Sequence, residues 1–294
     1  MATIFRKELA DFFTSIRVFI LFLLVIGASA AGLFASYQGI RGISTESGFV
    51  FLKLFTTSGT AIPSLTTFIA LFVPIIGIAL GFDAVNSERS NGTLSRILSQ
   101  PIYRDNVINA KFLAGIATLF IMVFTTILLV AGFGLRMIGV PPNAEEIIRL
   151  FLYLLLTTVY GSFWMGLAIL FSVSLRRIAT SLLSSLAVWL FFGFFWVSLI
   201  VPAIAKTTEA SLMLQRLSPH TLFGEATTVL LLPIWRGAGL LTAGEQLQYM
   251  ILNPLSLGQS LLVVWPHITG LIGVTAICFA ISYVLFMRQE IRAT

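Results

Sequence analysis

The sequence predicts an all-α polytopic membrane protein with six transmembrane helices, and three observations carry that prediction. The 294 residues are 57% hydrophobic and only 10% charged, with a mean hydropathy of +0.99, so the bilayer rather than water is the natural solvent for the chain. Six segments reach the roughly 20 predominantly apolar residues that a spanning helix needs. They lie at about 18–36, 65–83, 112–135, 150–173, 180–202 and 267–287. The basic residues divide unevenly between the two sides that these spans define. One side carries Arg6, Lys7, Arg17, Arg89, Arg96, Arg104, Lys111, Arg176, Arg177, Arg288 and Arg292. The other has nearly twice the length and carries only Arg41, Lys53, Arg136, Arg149, Lys206, Arg216 and Arg236. The positive-inside rule therefore places both termini in the cytoplasm of a cell whose inner or plasma membrane holds the chain.

The first sixteen residues read as an amphipathic interfacial helix on the inner surface. Phe5, Leu9, Phe12, Phe13 and Ile16 fall on one face, with Arg6, Lys7, Ala10 and Asp11 away from it. The first span contains "GASAAG", whose Ala28-Ser29-Ala30 has the form of a signal-peptide cleavage site. Glu8 and Asp11 spoil the basic n-region that such a signal requires, so an intact cytoplasmic N-terminus is expected. In the second span Pro74 interrupts the helix pattern, and Gly77 with Gly81 forms a GxxxG that fits either packing within one subunit or a dimer seam. Gly27 with Ala31, and Ala28 with Gly32, form similar small-residue pairs in the first span.

Residues 84–111 are a polar cytoplasmic loop between the second and third spans. Their "NGT" has the form of a glycosylation acceptor, but a cytoplasmic Asn91 meets no glycosylation machinery. Asn91-Gly92 supplies a chain reversal, because Gly tolerates positive φ. Thr93 can then cap a helix in which Leu94, Ile97 and Leu98 share one face, Pro101 ends it, and Asp105 is placed to cap the third span's helix. By spacing alone this short helix fits two readings equally: an interfacial loop resting on lipid, and a rigid element that transmits force between spans.

The fifth span holds "WLFFGFFW", residues 189–196, an aromatic run suited to lipid, to neighbouring helices or to a lipid-like cargo. Residues 203–266 form a long outer segment whose apolar runs are too short or too interrupted to cross, so outer helices packed on the bilayer face are expected there. Within it, 247–265 reads as an outer or re-entrant helix, with Trp265-Pro266 marking a break before the last span.

The loop resembles that of the type-2 ABC exporter permeases, whose corresponding segment reads acidic residue, three residues, Gly-Thr-Leu, two aliphatics and Pro. Here those positions are Glu88, Gly92, Thr93, Leu94, Ile97, Leu98 and Pro101, followed by Lys111 where the family has a Lys entering the third span. Over residues 65–115 the likeness extends to permeases that serve nitrous-oxide-reductase maturation. Ser90 and Ser95 depart from positions that are often acidic in the family. The resemblance implies that 1–294 is one permease domain and that the named residues form a cytoplasmic coupling helix. It further implies two copies of the chain, each docked on an ABC ATP-binding subunit that supplies ATP and Mg.

The chain itself has no G-x-x-x-x-G-K-[ST] phosphate loop, and the resemblance implies no enzymatic activity or cofactor of its own. The lone Cys278 excludes an intramolecular disulfide and a cysteine-based metal site. The net charge of +6 is scattered between apolar runs rather than gathered in a stripe, so nucleic acid is not an expected partner. His220 and His267 have no partner at ligand spacing in the sequence and read as surface histidines. No span carries a carboxylate in its middle, which argues against ion-coupled transport and for energy delivered from the cytoplasmic side. The leading expectation is export of a cargo driven by a partner ATPase. The alternative is mechanical transmission of the ATPase cycle to an extracytoplasmic partner without bulk transport. An intramembrane enzyme would need a polar catalytic pair at shared depth, and the sequence offers none.

Overall fold

A computed structural model describes residues 1–40, 49–59, 62–93, 103–233 and 254–288. Every element among them is helical. Helix α1 (Ala2–Thr14) is followed by α2 (Ile16–Ile40) and the short α3 (Val50–Thr56). α4 (Leu65–Gly81) runs through Pro74 and ends in a turn that leads to α5 (Asn86–Ser90). Then come α6 (Arg104–Ile138), α7 (Ala144–Ser174) and α8 (Ile178–Leu190), which passes into a π-helical segment, Phe191–Ile200, and the single turn α9 (Val201–Ile204). α10 (Thr208–Gln215), α11 (Pro219–Leu231) and α12 (Leu257–Arg288) complete the described chain.

Six of these stretches are long and apolar enough to cross a membrane: Ile16–Gln38, Leu65–Ser90, Arg104–Ile138, Ala144–Ser174, Ile178–Ile204 and Leu257–Arg288. They coincide with the six expected spans, but five begin earlier, the third and the sixth by the widest margin. α6 starts at Arg104, with Tyr103 at its N-cap, so Asp105 lies inside the first turn and does not cap it. α12 continues through Pro266 and starts at Leu257, so Trp265-Pro266 is not a break. A proline removes one N–H from the helix ladder without ending it when packing holds the helix on both sides, and Val264 and His267 are both buried here.

α7 is the hub of the bundle. In its most apolar stretch 78% of residues are buried, against 17% in each of the last two spans. The glycines of α4 explain part of this. A Cβ placed on Gly77 would stand 2.5 Å from the Gly161 carbonyl oxygen of α7, and one on Gly81 would stand 2.6 Å from the Met165 carbonyl oxygen. The GxxxG is therefore a contact between two spans of one chain, the closer-packing option of the two the sequence left open.

α7 also defines the two ends of the molecule. Its N-terminal end is fastened by Arg149, which is fully buried. The guanidinium donates to Glu145 Oε1 (2.8 and 3.0 Å), to the carbonyls of Leu230 (2.9 Å) and Leu255 (2.8 Å), and to Ser260 Oγ (3.0 Å). Glu146 closes a capping box with Asn143 and accepts from the backbone N–H of Phe51 at the start of α3 (3.0 Å). Eleven residues further along α7, about 16 Å down the axis, the Tyr160 hydroxyl meets His220 Nδ1 at 3.2 Å. α11 therefore runs antiparallel to α7 and descends into the bundle, with Phe223 stacked on Tyr160 at a centroid distance of 4.3 Å. It does not lie flat on the bilayer face, because Phe223, Ala226, Val229 and Leu230 find protein rather than lipid to cover them.

Candidate functional site

At the opposite end, where α4 stops, the chain assembles a compact group of charges around Lys111. Lys111 sits two turns into α6 and is 6% exposed. Its Nζ lies 2.8 Å from Glu88 Oε1 and 3.0 Å from Glu8 Oε1. One ammonium thus joins three elements far apart in sequence: the interfacial helix α1, the α5 segment that follows the second span, and the start of the third span. Lys7 adds a more exposed cation 3.1 Å from Glu8 Oε1 and 3.1 Å from Asp11 Oδ2. Burial alone would lower the Lys7 pKa, but the neighbouring Glu8 and Asp11 carboxylates outweigh it and hold the group above the ordinary lysine value. The buried Glu8 and the part-buried Glu88, facing two cations, balance locally, which is the condition under which buried charge persists in an apolar setting.

The backbone around the cluster is held just as specifically. Asp83 accepts from Arg17 at 2.6 Å, and the Arg17 guanidinium stands 5.4 Å from the Phe82 ring centroid. Ser172, near the end of α7, accepts from the backbone N–H groups of both Val85 (3.0 Å) and Asn86 (3.2 Å). These bonds satisfy N–H groups at the start of α5, which have no partner within that helix. Lys7, Glu8, Asp11, Arg17, Asp83, Glu88 and Lys111 together line a cavity of about 230 Å³ between α1 and the end of α4.

The predicted site residues divide in two. Glu88 is placed by Lys111. Gly92 adopts φ +66°, the left-handed conformation that the turn requires, and no described residue comes within 4 Å of the position where a Cβ would stand. Backbone conformation alone demands glycine there. Thr93 Oγ1 donates to the Glu88 carbonyl at 3.2 Å, so the residues just before the expected coupling helix are tied back to α5. Leu94, Ile97, Leu98 and Pro101 lie outside the described residues.

Glu8 is the member of the charge cluster that the sequence reading missed. It was read as an obstacle to a signal peptide, whereas it is the one buried residue of α1. The signal was present: Glu8 stands three after Phe5 and four before Phe12, on the apolar face of the helix. His220 and His267 also differ from expectation. His267 is 9% exposed and its Nε2 lies 2.8 Å from Glu225 Oε2, which Arg216 also approaches at 2.9 Å. His220 is held against Tyr160. Neither is a surface histidine, because α11 carries Glu225 and His220 into the bundle.

Comparison with known proteins gives a consistent result. The family described as ABC-2 family transporter protein matches residues 2–291, nearly the whole chain. A probable ABC transporter permease protein, NosY, of Pseudomonas aeruginosa is 26% identical over 203 residues. That match covers 65% of this chain and 66% of the relative, just under two thirds of the relative's length.

Proposed function

We infer the role of this chain from its membership of the ABC-2 transporter family, to which it belongs over residues 2–291. It is a multi-pass membrane permease subunit of an ABC transporter. Beyond that, we propose that ATP hydrolysis in a separate ATP-binding subunit drives export of a cargo, that two copies of this chain form the pathway, and that residues 88–101 receive the ATPase motion. The termini face the cytoplasm under the charge distribution set out above.

The observation that carries this reading is the Lys111 bridge. A coupling element must move the spans and not merely itself, and Lys111 binds α1 and α5 to the base of α6 immediately beside the segment that would dock on the ATPase. A displacement applied to that segment pulls on Glu88, and through Lys111 on the third span and the interfacial helix together. The experiment is co-purification of the ATP-binding subunit with the chain and ATPase activity of the complex in lipid. Leu98→Asp places a charge on the face expected to be covered by the partner, where an unpaired buried charge costs several kcal/mol. Association or coupling fails in that variant while the spans still insert. Normal assembly and normal cargo-dependent turnover in both Leu98→Asp and Gly92→Val would return the loop to an interfacial role.

A second reading, mechanical action on an extracytoplasmic partner without cargo crossing, is favoured by the fastening of α11 to α7 and α12 through Arg149 and the Glu225–His267 pair. That fastening would carry span motion to the far end. Cargo uptake by inverted vesicles separates the two, being present under export and absent under mechanical action.

A further inference from the structure

A pocket of about 310 Å³ opens sideways between α2 and α6, in the half of the bundle away from the charge cluster. Its walls are apolar side chains, among them Leu33, Val130 and Met137. Phe34 and Phe133, 53% and 59% exposed, frame its open side. Two hydroxyls interrupt this lining, and they behave differently. Thr126 donates to the Met122 carbonyl four residues back at 2.8 Å, as the buried Thr118, Thr157 and Thr158 do with theirs. Ser29 is 4% exposed, and its Oγ has no hydrogen-bond partner among the described residues. A serine inside a helix has a carbonyl within reach and ordinarily uses it. A buried hydroxyl left unpaired in an apolar wall is costly and calls for a partner that the described residues do not supply.

We propose that this pocket binds an apolar, membrane-dissolved molecule bearing one hydrogen-bonding oxygen, which Ser29 recognises. The volume lies at the lower end of the range for small-molecule sites, about 300–1,000 Å³, and suits a single chain or a small ring system rather than a whole two-chain lipid. The hydroxyl of Ser29 donates to the ligand oxygen. Thr126, its proton already committed, has acceptor capacity left for a ligand hydroxyl. The lateral opening admits the ligand from the bilayer. This inference concerns the pocket of this chain alone and does not rest on the ATPase reading.

The test uses the full chain in lipid nanodiscs and two photoreactive probes: a long-chain fatty alcohol with a mid-chain diazirine, and the matching hydrocarbon without the hydroxyl. Labelled peptides are mapped by mass spectrometry. In the wild type both probes label α2 and α6 around the pocket, and the alcohol labels about two- to tenfold more strongly, the ratio expected for one net hydrogen bond. Ser29→Ala brings the alcohol down to the hydrocarbon level while hydrocarbon labelling persists, which also shows that the pocket is intact. If the alanine variant folds poorly, Ser29→Cys keeps the volume, weakens the donor and gives the same loss of preference. Ala30→Trp fills the open side and removes labelling by both probes. Labelling spread evenly over the lipid-facing helices, or equal labelling by the two probes in the wild type, would overturn the proposal. So would efficient cross-linking of Ala30→Cys between copies in a Cys278→Ala background, since the pocket would then be a seam covered by a second copy.

Discussion

The two ends of the bundle bury charge in opposite ways. At the far end Arg149 has five donors and gives them to two backbone carbonyls, a serine and one carboxylate. Backbone acceptors cannot rotate away, so α7, the end of α11 and the start of α12 are locked in one arrangement. At the near end Lys111 bonds two carboxylates on flexible stems, Glu8 and Glu88, and Lys7 offers Glu8 a second cation. Side-chain ion pairs hold elements together yet can exchange partners as the elements shift. The buried amide of Asn86, with neither its oxygen nor its nitrogen partnered among the described residues, sits at the near end and reinforces the contrast. A rigid far end and an adjustable near end are what a subunit needs if it receives motion at one end and delivers it at the other.

Removing the far-end lock should have the largest effect. Arg149→Met keeps the apolar stem but leaves the Leu230 and Leu255 carbonyls and Ser260 without their donor, and breaking a buried charge network of this kind costs about 3–5 kcal/mol. The expected result is a large fall in the thermal midpoint of the purified chain in lipid, accompanied by proteolytic sensitivity between α11 and α12. An unchanged midpoint would mean that the far end is no more rigid than the near end.

The near-end bridge comes next. Lys111→Met strands the buried Glu8 and the part-buried Glu88 carboxylates and should destabilise by about 3 kcal/mol, at the lower edge of the same range, because Lys7 can still partner Glu8. The sharper measurement is a double-mutant cycle of Lys111→Met with Glu88→Gln. Residues in one network show coupling of roughly 0.5–3 kcal/mol, and the double variant should recover part of the loss from Lys111→Met alone. ATPase activity of the complex is expected to fall in both single variants, even where assembly is retained. Additive effects would show that Lys111 and Glu88 are neighbours without being a unit.

How much of this contrast the sequence showed depends on whether a feature is local. The six spans were legible because bilayer thickness fixes their length and composition. Gly92 was legible because turn chemistry is written in two adjacent residues, and the structure places it at positive φ. The role of Glu8 was encoded in its spacing from Phe5 and Phe12, but an acid on an apolar face acquires meaning only once Lys111, 103 positions away, is known to face it. The Glu225–His267 pair spans 42 residues and depends on the register of α11 against α12, which hydropathy does not specify. The π-helical turn pattern of Phe191–Ile200 has no compositional mark; it is fixed instead by tertiary bonds such as Trp196 Nε1 to the Leu214 carbonyl (2.8 Å) and Ser218 Oγ to the Phe192 carbonyl (2.8 Å).

The turn at Gly92 should respond more weakly than either charge cluster. A non-glycine residue in the left-handed region costs roughly 1–2 kcal/mol, less for Asn than for Ala or a β-branched residue. Since a Cβ would meet no described residue, the effect is expected to come from the backbone. Gly92→Asn is therefore expected to retain near-normal ATPase activity, with Gly92→Ala intermediate and Gly92→Val lowest. Equal losses in all three would point to a role for the glycine in close approach of the ATP-binding subunit rather than in the turn.

The smallest effect is expected at Arg17, although its 2.6 Å contact with Asp83 is the shortest ion pair among the described residues. Length is a poor guide here, because the Arg17 side chain is 54% exposed and solvent screens what it contributes. Exposed pairs contribute about 0–1 kcal/mol and weaken as salt rises. The contact with the Phe82 ring adds stem and face packing that salt does not remove. Arg17→Lys should keep most of the ion pair and lose the planar stacking, whereas Arg17→Gln loses the charge. Thermal midpoints measured at low and high salt separate these contributions. The gap between wild type and Arg17→Gln should narrow as salt increases, and the gap between wild type and Arg17→Lys should stay small and constant. If instead Arg17→Gln matched Lys111→Met in magnitude and ignored salt, Asp83 would have to be counted with Glu8 and Glu88, and the near end would be as firmly locked as the far one.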